Sequence, residues 1–310
     1  MRDIAARLGV SAMTVSRAIR GDDGISEDTR QRVLAAVAEA GYRPNDLARR
    51  LRSGEPDELA GLIVTGLANP FYAQLAVGVE DVATARGTGL VVASSNGDPG
   101  RERELVRSMA ARHLAGLVVV PAGNDHRHLT GLPVVLAATP PRGIDADCVL
   151  VDDFGGTYEA CRTLIGRGHE RIGFLGLPPA LWTGSERYRG YAAALEDAGL
   201  TLDERWVRRH RGDVRAAEKA ARELLARPDA PTALITANNR NTIGALRAAR
   251  DHPVALAGFD DIEVADLLQL PLSVVAYDAA EVGRAAARLL FERSGTRQRV
   301  VVPTRIVDHP

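Results

Sequence analysis

Residues 1–20 read MRDIAARLGVSAMTVSRAIR, two short helical patterns meeting at Gly9. Ile4, Ala5 and Leu8 share one face of the first pattern, and Ala5 is small enough to let a second helix come close. Gly9 can take the positive φ of a tight turn, and Ser11 can cap the next helix. In that helix Val15, Ala18 and Ile19 point inward, leaving Ala12, Met13, Ser16, Arg17 and Arg20 on the outer side. By itself the hairpin suits either an ordinary core or a reader of the DNA major groove, which needs an exposed face with arginines.

The following residues favour the second reading. Ser26 opens a third helix in which Val33, Leu34, Val37 and Ala40 are expected to form a buried stripe ending at Gly41. Residues 1–53 hold 10 arginines against 7 acidic residues, net +3, while the remaining 29 basic and 33 acidic residues leave the rest at net −4. Arginine outnumbers lysine throughout, so its clustering matters more than its total. A basic helical module set apart from an acidic bulk is a footprint of phosphate binding.

Residues 42–58, YRPNDLARRLRSGEPDE, join head to body. Pro44 keeps Arg43 out of the helical region, Asn45 is a good N-cap, and DLARRLR suits about two turns of helix before Ser53, Gly54 and Pro56 break it. The segment reads either as a solvated linker or as a helix that orders only against DNA and a second copy.

From Leu59 onward, short apolar runs alternate with amphipathic segments, the pattern of parallel sheets covered by helices. GLIVTG, GLVVASSN, GLVVVP, RIGFLG, TALITAN and VALAGFDD are expected strands; residues 72–86, 101–112, 156–167, 187–198, 215–226 and 242–250 are expected helices. The 310 residues, 45% hydrophobic, suffice for two cores. Cys148 and Cys161 are too few for a disulfide framework and read as buried reduced thiols. No run approaches a membrane span and no export leader is recognisable, so a cytoplasmic protein is expected. No cofactor is expected: no GxGxxG leads from a strand into a helix, no GxxxxGKS/T run occurs, and His126 and His128 read as surface loop residues, not metal ligands. An enzyme is therefore not expected.

Five stretches resemble the family of the lactose and galactose repressors (LacI/GalR): DIAARLGVSAMTVSRAIRG at 3–21, ISEDTRQRVLAAVAEAGYRPN at 25–45, NPFY at 69–72, RGHERIGFLG at 167–176 and GFDDI at 258–262. The resemblance implies an all-α helix-turn-helix head (residues 1–43), a hinge helix and linker (44–56), and an α/β periplasmic-binding-protein-like body of two doubly wound lobes (57–310). Lobe 1 would span about 57–150 and 277–303, and lobe 2 about 151–276. It further implies a repressor that binds a near-palindromic double-stranded DNA operator as a homodimer. Ala12, Met13 and Arg17 would read bases, Ser11, Thr14 and Ser16 would lie near phosphates, and the hinge would supply Asn45, Ala48, Arg49 and Leu51, the last as a minor-groove wedge.

An effector would sit between the lobes, where strand carboxyl ends converge. The residues at those ends are Asn69, Phe71 and Tyr72, then Asp152 and Asp153, Arg187, Asn238, Asp260 and Tyr277; Asp153 and Asn239 could instead simply cap the helices that follow. Carboxylates, amides and one arginine suit hydroxyl groups, and an aromatic ring can cover an apolar sugar face, so a carbohydrate is the expected effector. Three departures from the resembling family fall in this cleft. Leu136–Pro140 replaces a stretch with an Asp-Arg pair, Asn238-Asn239 replaces Asn-Asp, and Ser185 replaces the first arginine of an Arg-x-Arg pair. They leave open a phosphorylated sugar, a nucleoside-like ligand or an effector-independent regulator. A solute-binding protein would share the body but lack the basic head. The run 250–254 is short for the family, and Met1 stands almost inside the first helix, as expected if a few residues precede this start.

Overall fold

The computed structural model describes residues 2–20, 22, 24–40, 59–112, 114–210, 212–268 and 270–309, which fall into two compact units, one within 1–56 and the other within 57–310. Asn45, Ala48, Arg49 and Leu51 lie outside the described residues.

The head holds α1 (Arg2–Leu8), α2 (Ala12–Arg20) and α3 (Glu27–Glu39). Gly9 takes φ +66° at the end of α1, and Ser11 Oγ accepts from Thr14 N at 3.0 Å. Ser26 caps α3 in the same way, accepting from Thr29 N at 3.4 Å. Ile4, Ala5, Val15, Ala18, Val33 and Ala36 form the buried core. Leu34, expected in the buried stripe, is instead 40% exposed. The inward face of α3 runs through Val33, Ala36 and Val37, and Leu34 turns out of it.

The body begins with β1 (Leu59–Val64), α4 (Pro70–Thr84), β2 (Gly89–Ser94), α5 (Pro99–Ala110), β3 (Leu117–Val119), β4 (Val134–Ala137) and β5 (Asp147–Val151). It continues with α6 (Asp153–Gly166), β6 (Ile172–Gly176), α7 (Trp182–Asp197), β7 (Val207–Arg209), α8 (Val214–Leu225), β8 (Ala233–Thr236), α9 (Asn239–Ala249), β9 (Ala255–Phe259) and β10 (Leu272–Ala276). α10 (Ala279–Glu292), β11 (Arg299–Val302) and β12 (Arg305–His309) end it. One sheet has the order β11-β5-β4-β3-β1-β2, the other β12-β10-β9-β8-β6-β7. The pairings are parallel except that of β12 with β10. Beyond the expected return of the chain to the first lobe through β11, the last strand crosses once more and closes the edge of the second.

Parallel strands buried on both faces need apolar residues at odd and even positions alike. In the first lobe Leu62, Val64, Val118, Val135 and Val149 meet α4 and α10, while Ile63, Val119, Leu136, Cys148 and Leu150 meet Val106, Met109 and Leu129. Both cysteines are buried and free. The body helices begin one to five residues before their expected starts. Asn69, Asp98, Asp152, Asp213 and Asn238 cap most of them directly after the strand-end loops.

His126 is a correction to the expected surface loop, because it is fully buried. Its Nε2 lies 3.0 Å from Gly123 O, and its Nδ1 accepts from Arg142 N at 3.1 Å. His128 Nε2 lies 2.9 Å from Oε1 of buried Glu102, whose Oε2 accepts from Ala122 N at 2.6 Å. The pair is structural: it pins the loop that follows β3.

α4 and α10 approach backbone to backbone. A Cβ on Gly78 would stand 1.8 Å from Ala280 O, and one on Gly283 2.1 Å from Leu75 O. Gly78→Ala must push the helices apart and is expected to destabilise the body by about 1–3 kcal/mol. Gly66→Ala, where nothing lies within 4 Å of the new Cβ, should stay within about 0.5 kcal/mol of wild type. Urea midpoints of the two variants check this, and equal midpoints would refute the close approach.

Candidate functional site

In the head, Ala12, Met13, Ser16 and Arg17, four of the residues expected on the outer side of α2, are at least partly exposed. Ala12 and Met13 are exposed, Met13 at 67%, and Thr14, Ser16 and Arg17 are half-buried. The hydroxyl of Ser11 is 2.9 Å from that of Thr14, and Arg17 Nε is 4.0 Å from Asp22. The face thus combines a thioether, small groups, hydroxyls and a guanidinium on one helix.

In the body a cavity of about 440 Å³ opens between the lobes. Its walls are loops that leave the carboxyl ends of β1, β2, β3 and β4 on one side and β6, β8 and β9 on the other. In each sheet the strand order reverses beside the first strand of its lobe, β1 or β6, which leaves a crevice at that end. Asn69, Phe71, Tyr72, Arg187, Asn238, Asp260 and Tyr277 all line the cavity.

Asp152 does not. As N-cap of α6 it accepts from Gly155 N at 2.9 Å and faces a separate groove with Glu159 and Thr304. Because α6 starts directly behind this cap, its first residue, Asp153, turns into the cavity. The same one-residue offset makes Asn238 the cap of α9, accepting from Asn241 N at 2.8 Å, with Asn239 inside the helix. Sequence reasoning names both Asp152 and Asp153 at this strand end, and reads Asp153 also as a possible cap. The adjacent Asp-Asp pair is the signal, but the exact helix start decides which carboxylate faces inward. Thr65, Asn96, Thr139 and Thr183 also line the cavity without a distinguishing sequence pattern.

Arg187 is the centre of the polar wall and is 5% exposed. Its Nε donates to Asp153 Oδ1 at 2.8 Å and its Nη1 to Ala237 O at 2.5 Å, while Asp260 Oδ1 lies 3.8 Å from Nη1. The guanidinium carbon lies 3.5 Å from the centroid of the Phe259 ring, a stacking position that suits a cation. Tyr277 donates its hydroxyl to Asp260 Oδ1 at 2.8 Å, and burial raises its pKa well above the ordinary value. Asp260 holds φ +66°, a left-handed conformation that aspartate tolerates better than most residues. On the facing wall Tyr72 pairs its hydroxyl with Thr65, and Phe71 packs edge-on against Tyr72.

Hydrogen bonds also span the two walls. Asn239 Nδ2 donates to Asn69 Oδ1 at 2.8 Å, Arg240 Nη1 to Ala68 O at 3.5 Å, and Asn124 Nδ2 to Ala180 O. The lobes are therefore coupled beside the cavity by hydrogen bonds to neutral acceptors, with no ion pair among these three.

Burial is the largest influence on Asp153 and pushes its pKa up to about 6, with Arg187 opposing and Asp260 and Asp152 adding to the rise. Between about pH 4 and pH 6 the folded body keeps a proton that the unfolded chain has released, so this group's contribution to stability falls as pH rises and is constant above that window. Asp153→Asn has nothing to titrate. From about pH 4.5 to about pH 7.5 it is expected to lose less stability than wild type, measured by urea midpoints; equal changes in both proteins would refute the assignment.

Comparisons with known proteins agree with this geometry. Residues 1–45 match the family described as "Bacterial regulatory proteins, lacI family", and residues 161–309 match a periplasmic binding protein-like domain. A ribose operon repressor of Haemophilus influenzae is 30% identical over 94% of this chain and 91% of its own length. A solved complex of the transcriptional regulator CelR with cellobiose is 29% identical, with TM-score 0.74 over 98% of this chain and 97% of that one. A lac repressor dimer bound to operator, 22% identical, shares the fold at TM-score 0.78 over 98% of this chain and 96% of that one. A three-helix head with an exposed reading face, two doubly wound lobes around a cleft and an end-to-end relative place the chain in one family: it belongs to the lacI family of bacterial regulatory proteins.

Proposed function

We propose that this chain is a sequence-specific DNA-binding transcriptional repressor that holds a near-palindromic operator as a homodimer and is modulated by a small sugar-like effector in the cleft between its lobes. The observation that carries the reading is the presence, on one chain, of the exposed α2 face and a polar cavity at the carboxyl ends of two sheets. The relatives support it: one is named a ribose operon repressor and another is solved with cellobiose. No catalytic residue is assigned, because the family consists of regulators. A protein of this kind works in the cytoplasm, where its operator is.

Each part has a stated role. Arg17 bonds a guanine edge, Ala12 and Met13 offer apolar contact to thymine methyls, and Ser11, Thr14 and Ser16 bond phosphates. Asn45, Ala48, Arg49 and Leu51 serve the minor groove and the adjoining backbone as a hinge. In the cleft, Asn69, Asp153, Arg187, Asn238 and Asp260 hold ligand hydroxyls, with Phe71, Tyr72 and Tyr277 beside an apolar sugar face. One head buries too little surface for tight specific binding, so a second copy is required. Val91 and Val92 on edge strand β2 and Val77 on neighbouring α4 are exposed, a face suited to burial against that copy.

Titration of the full-length protein against DNA upstream of its own coding region, with random competitor, tests the reading; no preference for any genomic fragment would overturn it. Arg17→Ala is expected to cost about 1–3 kcal/mol of specific binding and to relax one position in each half-site. Unchanged affinity and unchanged base preference would refute that role. Arg49→Ala is expected to weaken binding to all sequences alike and to lower the salt slope by about one unit. A wild-type slope would show that Arg49 makes no phosphate contact.

A further inference from the structure

Within the sugar reading proposed above, on which this rests, the residues that could hold ligand charge are few. Among the described residues lining the cavity only Asp153, Arg187 and Asp260 are charged, two carboxylates to one guanidinium. The charge of that guanidinium is already compensated: Nε bonds Asp153, Nη1 bonds the carbonyl of Ala237 and approaches Asp260, and the plane is stacked on Phe259, while Nη2 has no hydrogen-bond partner among the described residues. The carboxylates are not equally committed. Asp260 accepts from Tyr277 through Oδ1 and from Asn239 N through Oδ2 at 3.4 Å. Asp153 accepts from Arg187 through Oδ1, but its Oδ2 is buried in the cavity wall with no hydrogen-bond partner among the described residues.

A buried carboxylate oxygen without a donor is costly, and a ligand hydroxyl is the group that would satisfy it. A phosphate in the same place brings acceptors only, adds negative charge beside two carboxylates, and meets a guanidinium whose charge Asp153 and Asp260 already compensate. We infer that this cleft takes an unphosphorylated sugar that donates a hydroxyl to Asp153 Oδ2, and that Asp153 sets the selection against phosphorylated sugars. One feature pulls the other way: α7 opens on Leu181, which offers no side-chain cap, so its first N–H groups could serve an anion. A single helix end set against an unsatisfied buried carboxylate is the weaker of the two, because the dipole acts as about half a charge.

Asp153 has a further signature. Its pKa is raised by burial, Arg187 opposing, with Asp260 and Asp152 adding to the rise; the Tyr277 hydroxyl also lies within its electrostatic reach. A donor on Oδ2 stabilises the ionised form, so sugar affinity should fall as pH drops through about 6.

The test is calorimetric titration of the full-length protein with matched pairs: ribose and ribose 5-phosphate, fructose and fructose 1-phosphate, glucose and glucose 6-phosphate, with cellobiose added. The expected result is a free sugar binding at least about 100-fold tighter than its phosphate, weaker at low pH, with that ratio falling about tenfold or more in Asp153→Asn. A thermal melt establishes that the variant is folded. A phosphorylated sugar binding more tightly overturns the inference and leaves the repressor reading standing. Binding of none of these probes overturns the inference together with the sugar reading, whereas loss of operator preference refutes the DNA-binding part separately. An unchanged ratio in folded Asp153→Asn removes the selective role from that residue.

Discussion

The polar half of the cleft depends on one buried cation, Arg187, held between two carboxylates. A guanidinium this deep is tolerated only when its charge is compensated and its donors are used. Asp153 supplies the strong contact at 2.8 Å, Asp260 a longer one at 3.8 Å, and the Phe259 ring the stacking face. These partners come from three places in the chain: the start of α6, the end of β9 and the loop after it. Arg187 therefore ties the first crossing between the lobes, at residues 151–153, to the strand ends of the second lobe. Tyr277, at the next crossing, joins the same cluster through Asp260.

That placement has a consequence for signalling. A ligand that changes the hydrogen bonding of Asp153 or Asp260 acts at the chain segments about which the lobes would rotate. The contacts across the mouth, Asn239 to Asn69 and Arg240 to Ala68, are hydrogen bonds to neutral acceptors and not ion pairs, each worth about 0.5–3 kcal/mol. A rigid, charge-compensated centre with a hydrogen-bonded rim is an arrangement that lets a small ligand shift the balance between two lobe positions. Within the first lobe α4 and α10 touch backbone to backbone through Gly78 and Gly283.

Much of the site was legible in the residues because strand carboxyl ends in a parallel sheet are where ligands gather, and those ends are marked by the loss of apolar character. Asn69, Arg187, Asn238, Asp260 and Tyr277 could be named in this way. Asp152 could not be told from Asp153, since the choice between a cap and an inward carboxylate depends on where α6 begins to a single residue, and strand-to-helix boundaries are read from sequence less sharply than that. His126 and His128 misled in the opposite sense. Their polarity suggests solvent, but His126 is bonded to Gly123 and the backbone of Arg142, and His128 lies 2.9 Å from the buried Glu102.

The sequence by itself determined the helical head with its turn at Gly9, the alternation of strand and helix in the body, the basic head against an acidic remainder, and the family. All but the family follow from local rules, namely periodicity, capping, turn chemistry and the charge of neighbours in the chain; the family rests on the resemblance of whole motifs. Only the tertiary structure decided that Leu34 faces out, that β12 crosses back to pair antiparallel with β10, that Asp153 and not Asp152 meets the cavity, and that Arg187 has its charge already answered. Each of these depends on which distant residues arrive at the same place, and burial converts that arrival into an energetic difference between groups that look alike along the chain.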